Sequence, residues 1–460
     1  MEPIRKLGFA TYLQCLACGE KYPFEQLIEE QGSVLVNLCY NVCMGPLDVR
    51  YDYEAIAERL RPGDIARRPD TYWKLAELLP ANRQIVAVER PFTPLVRADK
   101  LSAELGVELY LKLDCHEVHP TRSFKDRPVA MAFNVAVEAG YKDVYVASTG
   151  NLAIASAHLA AKTGIHPLVY IPETLGDQKK NAIRQYMEHP ERDLYCLPVS
   201  YDDTNVKAMQ DCAEANDRAG REGRPKIGFV PNNSFRPFYK EGSKTNGFET
   251  AFQLDPVVEP GRRVHIIYPL GSGALLCCAH KGIEELRRLG LFEGHPVMWG
   301  AQPETVAPII RTWERIAGRK AGGETYKEIL PTEEIEPVLE PQEKTIAKSI
   351  AIGKPGSGYE VLDIFEASGG GGWTATEEEI FDATMELYEK EGIYSQFVGG
   401  VTLCGVRKGV ERGDLKPGDL VVANITGSAK DRVEDDMRAA AACFGRTERF
   451  ERVLKGVSGR

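Results

Sequence analysis

No apolar run in this chain reaches the roughly 18 to 20 residues that span a bilayer. The opening stretch from Met1 to Lys6 also lacks the apolar core of a secretion signal. Both absences point to a cytoplasmic protein. There is no stripe of arginine and lysine either, and the formal net charge is −10. Such an acidic balance repels a phosphate backbone, which argues against nucleic acid as a partner. No internal repeat or long disordered linker is evident. A disulfide framework is not expected: the cysteines number eleven, an odd count, and Cys277 and Cys278 sit in apolar surroundings, as reduced thiols do. With 460 residues, 43% hydrophobic and 27% charged, the chain has ample core for two or more globular domains.

The most informative stretch is His119-Pro-Thr-Arg-Ser-Phe-Lys-Asp-Arg127. Its lysine lies between an X-Pro turn and a helical pattern (Val129, Ala130, Phe133, Val137), which predicts Lys125 in the first turn of a helix facing a cleft. A reactive amine can sit there. Residues Asp143 to Asn151 then predict a buried strand ending in the polar turn Ser148-Thr149-Gly150-Asn151, with a helix over Ala153 to Thr163. Strand, turn and helix together make a ligand-binding edge. Further strands at Pro167 to Ile171 and Leu194 to Val199, alternating with helices, imply a parallel sheet covered on both faces.

Later in the chain the strand Val264 to Tyr268 runs into Gly271-Ser272-Gly273-Ala274-Leu275 at the head of an apolar helix. Successive backbone N–H groups at such a turn, with the positive end of a helix behind them, suit a cofactor phosphate. Near the carboxyl end another buried-type strand, Asp419 to Ile425, terminates in Thr426-Gly427-Ser428. At the other end of the chain, Cys15 and Cys18 precede Cys39 and Cys43 by about twenty residues. Four thiolates on two tight turns can meet around a tetrahedral zinc, although the second pair has three intervening residues where two are usual.

The lysine block and the Ser-Thr-Gly-Asn turn resemble those of pyridoxal phosphate (PLP) enzymes of the tryptophan-synthase-like fold, and most closely the threonine synthase family. The likeness covers roughly residues 10 to 435. It implies an α/β protein of PLP fold type II, with two open parallel-sheet domains and a small amino-terminal zinc-ribbon-like knuckle. On this basis we expect a knuckle over residues 1–52 and a small α/β domain over 128–235. The large PLP domain is then built from 53–127 and 236–460. A homodimer is the expected assembly. The resemblance makes Lys125 the Schiff-base lysine, a role that needs a neutral amine such as burial supplies. Asn151 faces the pyridine oxygen, Gly271 to Leu275 holds the phosphate, and the Thr426 hydroxyl faces the pyridine nitrogen. Ser148 and Thr149 would meet the substrate.

The segment from Asn232 to Thr245 resembles the family's Asn-Ser-x-Asn-Pro-x-Arg-x-Glu-Gly-Gln-Lys-Thr, whose Asn, Ser and Arg hold a substrate phosphate. Asn233 and Ser234 match, but Tyr239 stands at the arginine, and Arg236 or Lys240 would have to supply the lost charge. Two further departures bear on substrate. Arg122 replaces a glycine of the lysine block, which puts a cation for an anionic group, or a steric plug, beside Lys125. Glu391 to Phe397 lacks the Glu-Pro pair usual in relatives, and the glycine run Gly369 to Gly372 is expected to form a mobile loop. The implied reaction is conversion of O-phosphohomoserine and water to threonine and phosphate. Replacement or elimination on another anionic amino acid, such as O-phosphoserine with sulfite, is the alternative, and a catalytically silent regulator of the same fold is a third.

Overall fold

The computed structural model describes residues 6–24, 39, 43, 45–86, 92–148, 150–224, 228–229, 237–430 and 433–459. The chain divides into two compact units, one made of Met1–Phe92 and Glu117–Asn246, the other of Thr93–His116 and Gly247–Arg460. Among the described residues no helix is long and apolar enough to cross a membrane.

In the first unit Ala10–Cys15 pairs antiparallel with Lys21–Pro23 on one side and Leu47–Tyr51 on the other. A separate four-stranded sheet runs in the order Leu194–Leu197, His166–Pro172, Asp143–Ala147 and Gly228–Phe229, all parallel. Val144, Tyr145, Val146 and Ala147 are buried in succession, the run expected of a strand covered on both faces. The helix Asp126–Glu138 is buried on every side through Ala136: Val129, Ala130, Met131, Phe133 and Val135 cover most of its surface, and Asp126, Arg127 and Asn134 are buried with them. Pro128 is tolerated in its first turn, where an N–H has no partner inside the helix. Lys125 is the residue that precedes this helix rather than part of its first turn. The next helix starts at Asn151, two residues earlier than the apolar pattern predicts, and ends where Gly164 takes φ 70°.

The helix Pro237–Leu254 meets the lysine helix at Gly242. A Cβ there would collide with the Arg127 carbonyl oxygen and lie 2.8 Å from Pro128 Cα, so only glycine lets the two backbones come this close. Across the same crossing Arg127 Nη1 donates to Thr245 Oγ1 at 3.0 Å.

The second unit holds a six-stranded sheet in the order Gly371–Ala375, His295–Pro303, Arg263–Pro269, Leu420–Ile425, Glu108–Leu113 and Leu95–Arg97. Every neighbouring pair is parallel except the last, an antiparallel edge on an otherwise parallel sheet. The glycine run expected as a mobile loop is instead the approach to an edge strand. Gly369 closes the helix Gly358–Ser368 with φ 70°. Side chains at Gly370 and Gly372 would strike the carbonyl oxygens of Met298 and Gly300 in the adjacent strand. These glycines serve close packing, not motion.

Two glycines on helices should therefore respond to alanine with opposite signs. Gly242→Ala should lower unfolding free energy by about 2 kcal/mol, because backbone atoms cannot yield to the new methyl. Gly220, on the helix Tyr201–Arg221, has open space where its Cβ would be, and Gly220→Ala should raise it by about 0.5–1 kcal/mol. Urea unfolding of both variants checks the pair.

Candidate active site

Lys125 sits at the end of a tightly bonded turn. His119 Nδ1 donates to the Ser123 carbonyl at 2.8 Å, and the Arg122 amide donates to the His119 carbonyl at 2.8 Å. Asp126 Oδ2 accepts the Thr121 amide at 2.9 Å. Within this turn Arg122 has φ 53°, in the left-handed region that disfavours any side chain. The Lys125 side chain is half-buried, with its Nζ 3.0 Å from Tyr239 Oη and 4.6 Å from the centre of the Phe124 ring. Loss of solvent around the amine draws its pKa down from 10.5 to about 8. Such an amine is partly neutral near physiological pH, the state needed to condense with a carbonyl.

In the same unit Ser148 is buried at the end of its strand, and its Oγ accepts the Gly150 amide at 3.1 Å. Gly150, with φ 145°, turns the chain into the helix whose first residue is Asn151. Four of the expected substrate residues, Thr149, Asn233, Ser234 and Arg236, lie outside the described residues.

The second unit carries the glycine loop and Thr426. Gly273, with φ 88°, precedes the helix Ala274–Arg288 and has no side chain to cap its first amides. The loop is pinned by the Ser357 amide, which donates to the Ser272 carbonyl at 2.9 Å. Around Gly273 the space is tight: a Cβ would lie 2.6 Å from Val361 Cγ2. Ser272 Oγ accepts the Ala274 amide at 3.5 Å; backbone amides at a helix start, held in a rigid glycine turn, fit a phosphate. Thr426 is buried just beyond the strand Leu420–Ile425. The turn that follows it is gripped by Gln396, whose amide N–H donates to the Gly427 carbonyl at 2.7 Å and whose Nε2 donates to the Ser428 carbonyl at 3.1 Å. Sequence reasoning passed over Gln396, although it lies in the segment where the family's Glu-Pro pair is missing.

Cys15, Cys18, Cys39 and Cys43 come together with all four sulfurs within 4.8 Å of one another. Cys15 and Cys43 are 3.7 Å apart, as are Cys18 and Cys39. Zinc–sulfur bonds of about 2.3 Å at tetrahedral angles place sulfurs about 3.8 Å apart, so the donor set fits that ion. The protons of the cluster divide unevenly. The Glu20 amide and the Cys43 thiol draw Cys18 down to about 7; Cys43, though favoured by the Gly45 amide, is pushed up to about 12 by its contact with Cys18. Were all four to ionise, their mutual repulsion at this spacing would call for a cation between them.

The knuckle also touches the helix that carries Tyr239. Phe24 stacks on Phe238 with ring centres 6.3 Å apart, and Tyr51 Oη donates to Glu241 Oε2 at 2.5 Å. Glu241 is paired again by the buried Lys244, at 2.6 Å.

These two units, one with a half-buried lysine at a helix start and the other with a glycine turn that opens a helix, are those of a PLP enzyme. Residues 88–427 match the family described as "Pyridoxal-phosphate dependent enzyme". Threonine synthase of Methanosarcina acetivorans is 31% identical over 420 residues, covering 90% of this chain and 91% of that one. The threonine synthase of Methanocaldococcus jannaschii is 31% identical over 417 residues, with coverage of 90% and 91%. The chain belongs to the threonine synthase family of PLP-dependent enzymes, lyases of fold type II. Solved structures agree on the fold. The L-serine ammonia-lyase of Rhizomucor miehei superposes with TM-score 0.57 at 18% identity, over 77% of this chain and 98% of that one. Threonine deaminase isoform 2 of Solanum lycopersicum gives 0.55 at 18% identity, over 89% and 96%.

The lowered pKa of Lys125 has a measurable consequence. Its folded value lies below the ordinary lysine value, so between about pH 8 and 10.5 the folded state binds fewer protons than the unfolded one. The penalty for burying the ammonium is full below pH 8 and fades as pH rises through that window. In cofactor-free protein, acylation of Lys125 followed by peptide mass spectrometry should show an inflection near pH 8, where an exposed lysine shows one above 10.

Proposed function

We propose that this chain converts O-phosphohomoserine and water to threonine and phosphate, with Lys125 as the cofactor lysine and proton carrier. The observation that carries this reading is the Lys125 amine: partly neutral, hydrogen-bonded, and set at a helix start inside the family's lysine block. Pyridoxal phosphate supplies the electron sink for chemistry at the amino-acid carbons. Asn151 and Thr426 would hold its ring and Gly271, Ser272, Gly273, Ala274 and Leu275 its phosphate. Thr426 offers a neutral hydroxyl, which does not fix a proton on a ring nitrogen as a carboxylate does. Ser148, Thr149, Asn233, Ser234 and Arg236 would bind the amino acid and its anionic group. Lys125 would take and return protons at the substrate carbons through Nζ.

One observation favours a second reading. Tyr239, at the position of the family's phosphate-binding arginine, is engaged with Lys125 and carries no charge for a dianion. Replacement or elimination on a different anionic amino acid, for example O-phosphoserine with sulfite, fits that loss. Under either reading we assign anion binding to Arg122, which bears the cation nearest in sequence to Lys125 on that turn. Arg122→Gly separates stability from function. It should relieve the left-handed backbone and raise unfolding free energy by about 1 kcal/mol. It should also lower kcat/KM on the best substrate about 30- to 1000-fold, the worth of a charge-assisted pair in a desolvated site. Parent and variant are to be assayed on O-phosphohomoserine, on O-phosphoserine with sulfite, and on threonine. Turnover of none of them by the parent would sink both substrate readings; a change under about threefold in the variant would sink the role of Arg122.

We further propose that Cys15, Cys18, Cys39 and Cys43 hold one structural zinc. Four sulfur ligands close the coordination shell and leave no position for substrate. Purified protein should contain about one equivalent of zinc, and its removal by chelator should lower the thermal midpoint by several degrees, since metal binding adds to folding free energy. Metal analysis and calorimetry decide it: under about a tenth of an equivalent, with an unchanged midpoint, rules the zinc out.

A further inference from the structure

Tyr239 enters the functional reading only as a mismatch, yet its hydroxyl bonds the Lys125 amine. Its hydroxyl is 3.0 Å from Lys125 Nζ, its ring centre 5.6 Å from that atom, and the residue is 4% exposed. The turn of helix that presents it is fastened on several sides. Phe238 stacks on Phe24, Glu241 is bonded by Tyr51 and Lys244, and Gly242 seats the helix against the backbone of Arg127 and Pro128. A phenol held this way does not drift with a loop.

We propose that Tyr239 is a positioning residue for the Lys125 amine, fixing Nζ in place and sharing the proton it carries. The proposal rests on Lys125 being the cofactor lysine. When Nζ is neutral, the phenol donates its O–H into the nitrogen lone pair. When Nζ has taken a proton, the same oxygen turns and accepts an N–H. Tyrosine stays neutral in both arrangements, and nothing but the substrate's proton comes or goes. The second arrangement is charge-assisted and the stronger of the two, so on balance the hydroxyl supports the protonated amine and opposes burial. An arginine at 239 would act in the opposite sense, repelling an ammonium.

Among the described residues, the charged and titratable groups on the elements packed here are His119, Arg122, Asp126 and Arg127 on the lysine segment, and Lys240, Glu241 and Lys244 on the facing helix. Asp126 is tied to the Thr121 amide, Arg127 to Thr245, and Glu241 to Lys244 and Tyr51. Burial is what lowers the proton affinity of the amine, and the phenol is the neutral group placed to restore part of it. Tyrosine at this position thus exchanges a phosphate-binding cation for control of the base.

The test uses the full-length chain freed of cofactor, reading acylation of Lys125 against pH by peptide mass spectrometry. In Tyr239→Phe, which keeps the ring, the inflection should fall about half to one pH unit below the parent's. Tyr239→Arg should fall further still. In reconstituted enzyme the acid limb of the kcat profile should move the same way. If the Phe variant does not fold, 4-fluorophenylalanine introduced at position 239 replaces it: the fluorine fills the place of the hydroxyl but is a far poorer acceptor and should also lower the inflection. An inflection unmoved within about a tenth of a pH unit overturns the role of Tyr239. Borohydride reduction of the holoenzyme, with mapping of the labelled lysine, is read separately. A cofactor found on another lysine overturns the functional reading itself, whatever the titration shows.

Discussion

Gly242 lets two helices meet backbone to backbone, and the chemistry assigned to the first unit depends on that contact. The lysine helix brings Lys125 at its start; the Pro237–Leu254 helix brings Tyr239 one turn before the crossing. Because backbone atoms of Arg127 and Pro128 lie where a Cβ at Gly242 would be, only glycine allows this approach, and the separation of the helices is accurately held. A hydrogen bond of 3.0 Å between residues 114 apart in sequence needs that accuracy. The Arg127–Thr245 bond and the Tyr72 hydroxyl, which donates to the Arg127 carbonyl at 3.0 Å, hold the same spot from the sides.

Both units bury an ion pair, and stability alone does not explain why. Lys244 and Glu241 are at most 2% exposed at the side chain, and Lys112 and Glu249 at most 5%. Removing such charges from water costs about as much as their attraction returns, so an apolar pair of similar size would serve stability equally well. A charged pair does something an apolar pair cannot: it makes rotation or sliding of a helix expensive. Lys112 Nζ is met by the Thr93 carbonyl at 2.8 Å, Glu249 at 2.8 Å and Gln253 at 2.7 Å, a set complete in one register only. Lys244 lies 4.2 Å from the Tyr51 ring centre while Glu241 takes the Tyr51 hydroxyl. The four-cysteine knuckle, through the strand that ends in Tyr51, is therefore part of what sets the register of the helix bearing Tyr239.

How much of this was legible in the sequence follows from the range of each interaction. Buried parallel strands declare themselves as apolar runs, and the strands at Asp143, His166, Arg263 and Leu420 lie within two residues of where those runs begin and end. The cysteine cluster was legible because four ligands of one kind at close spacing have few other uses. The glycine run misled because composition does not distinguish a flexible glycine from one that another backbone crowds; Met298 and Gly300, some seventy residues earlier, decide it. Tyr239 was visible only as an arginine that was missing. Its partner is remote in sequence, and no local pattern announces a phenol–amine contact. Gln396 was hidden for the same reason, since the turn it grips lies some thirty residues on.

The two departures inside the family's most informative blocks have opposite signs of charge and lie in the same unit. At 239 a cation gives way to a neutral phenol; at 122 a glycine gives way to a cation. The second change is the costly one, because the backbone there keeps the left-handed conformation that suits glycine, φ 53°, and a side chain held in it costs about 1–2 kcal/mol. The turn around it is over-determined by the His119, Thr121 and Ser123 hydrogen bonds, so it cannot relax to accommodate the new residue. A strained residue on a rigid turn beside Lys125 is what the side-chain role proposed for Arg122 would explain. On the anion-binding role proposed for Arg122, its guanidinium would restore, on the other side of Lys125 in the sequence, the positive charge that a tyrosine at 239 does not carry, and would leave the phenol to serve the amine.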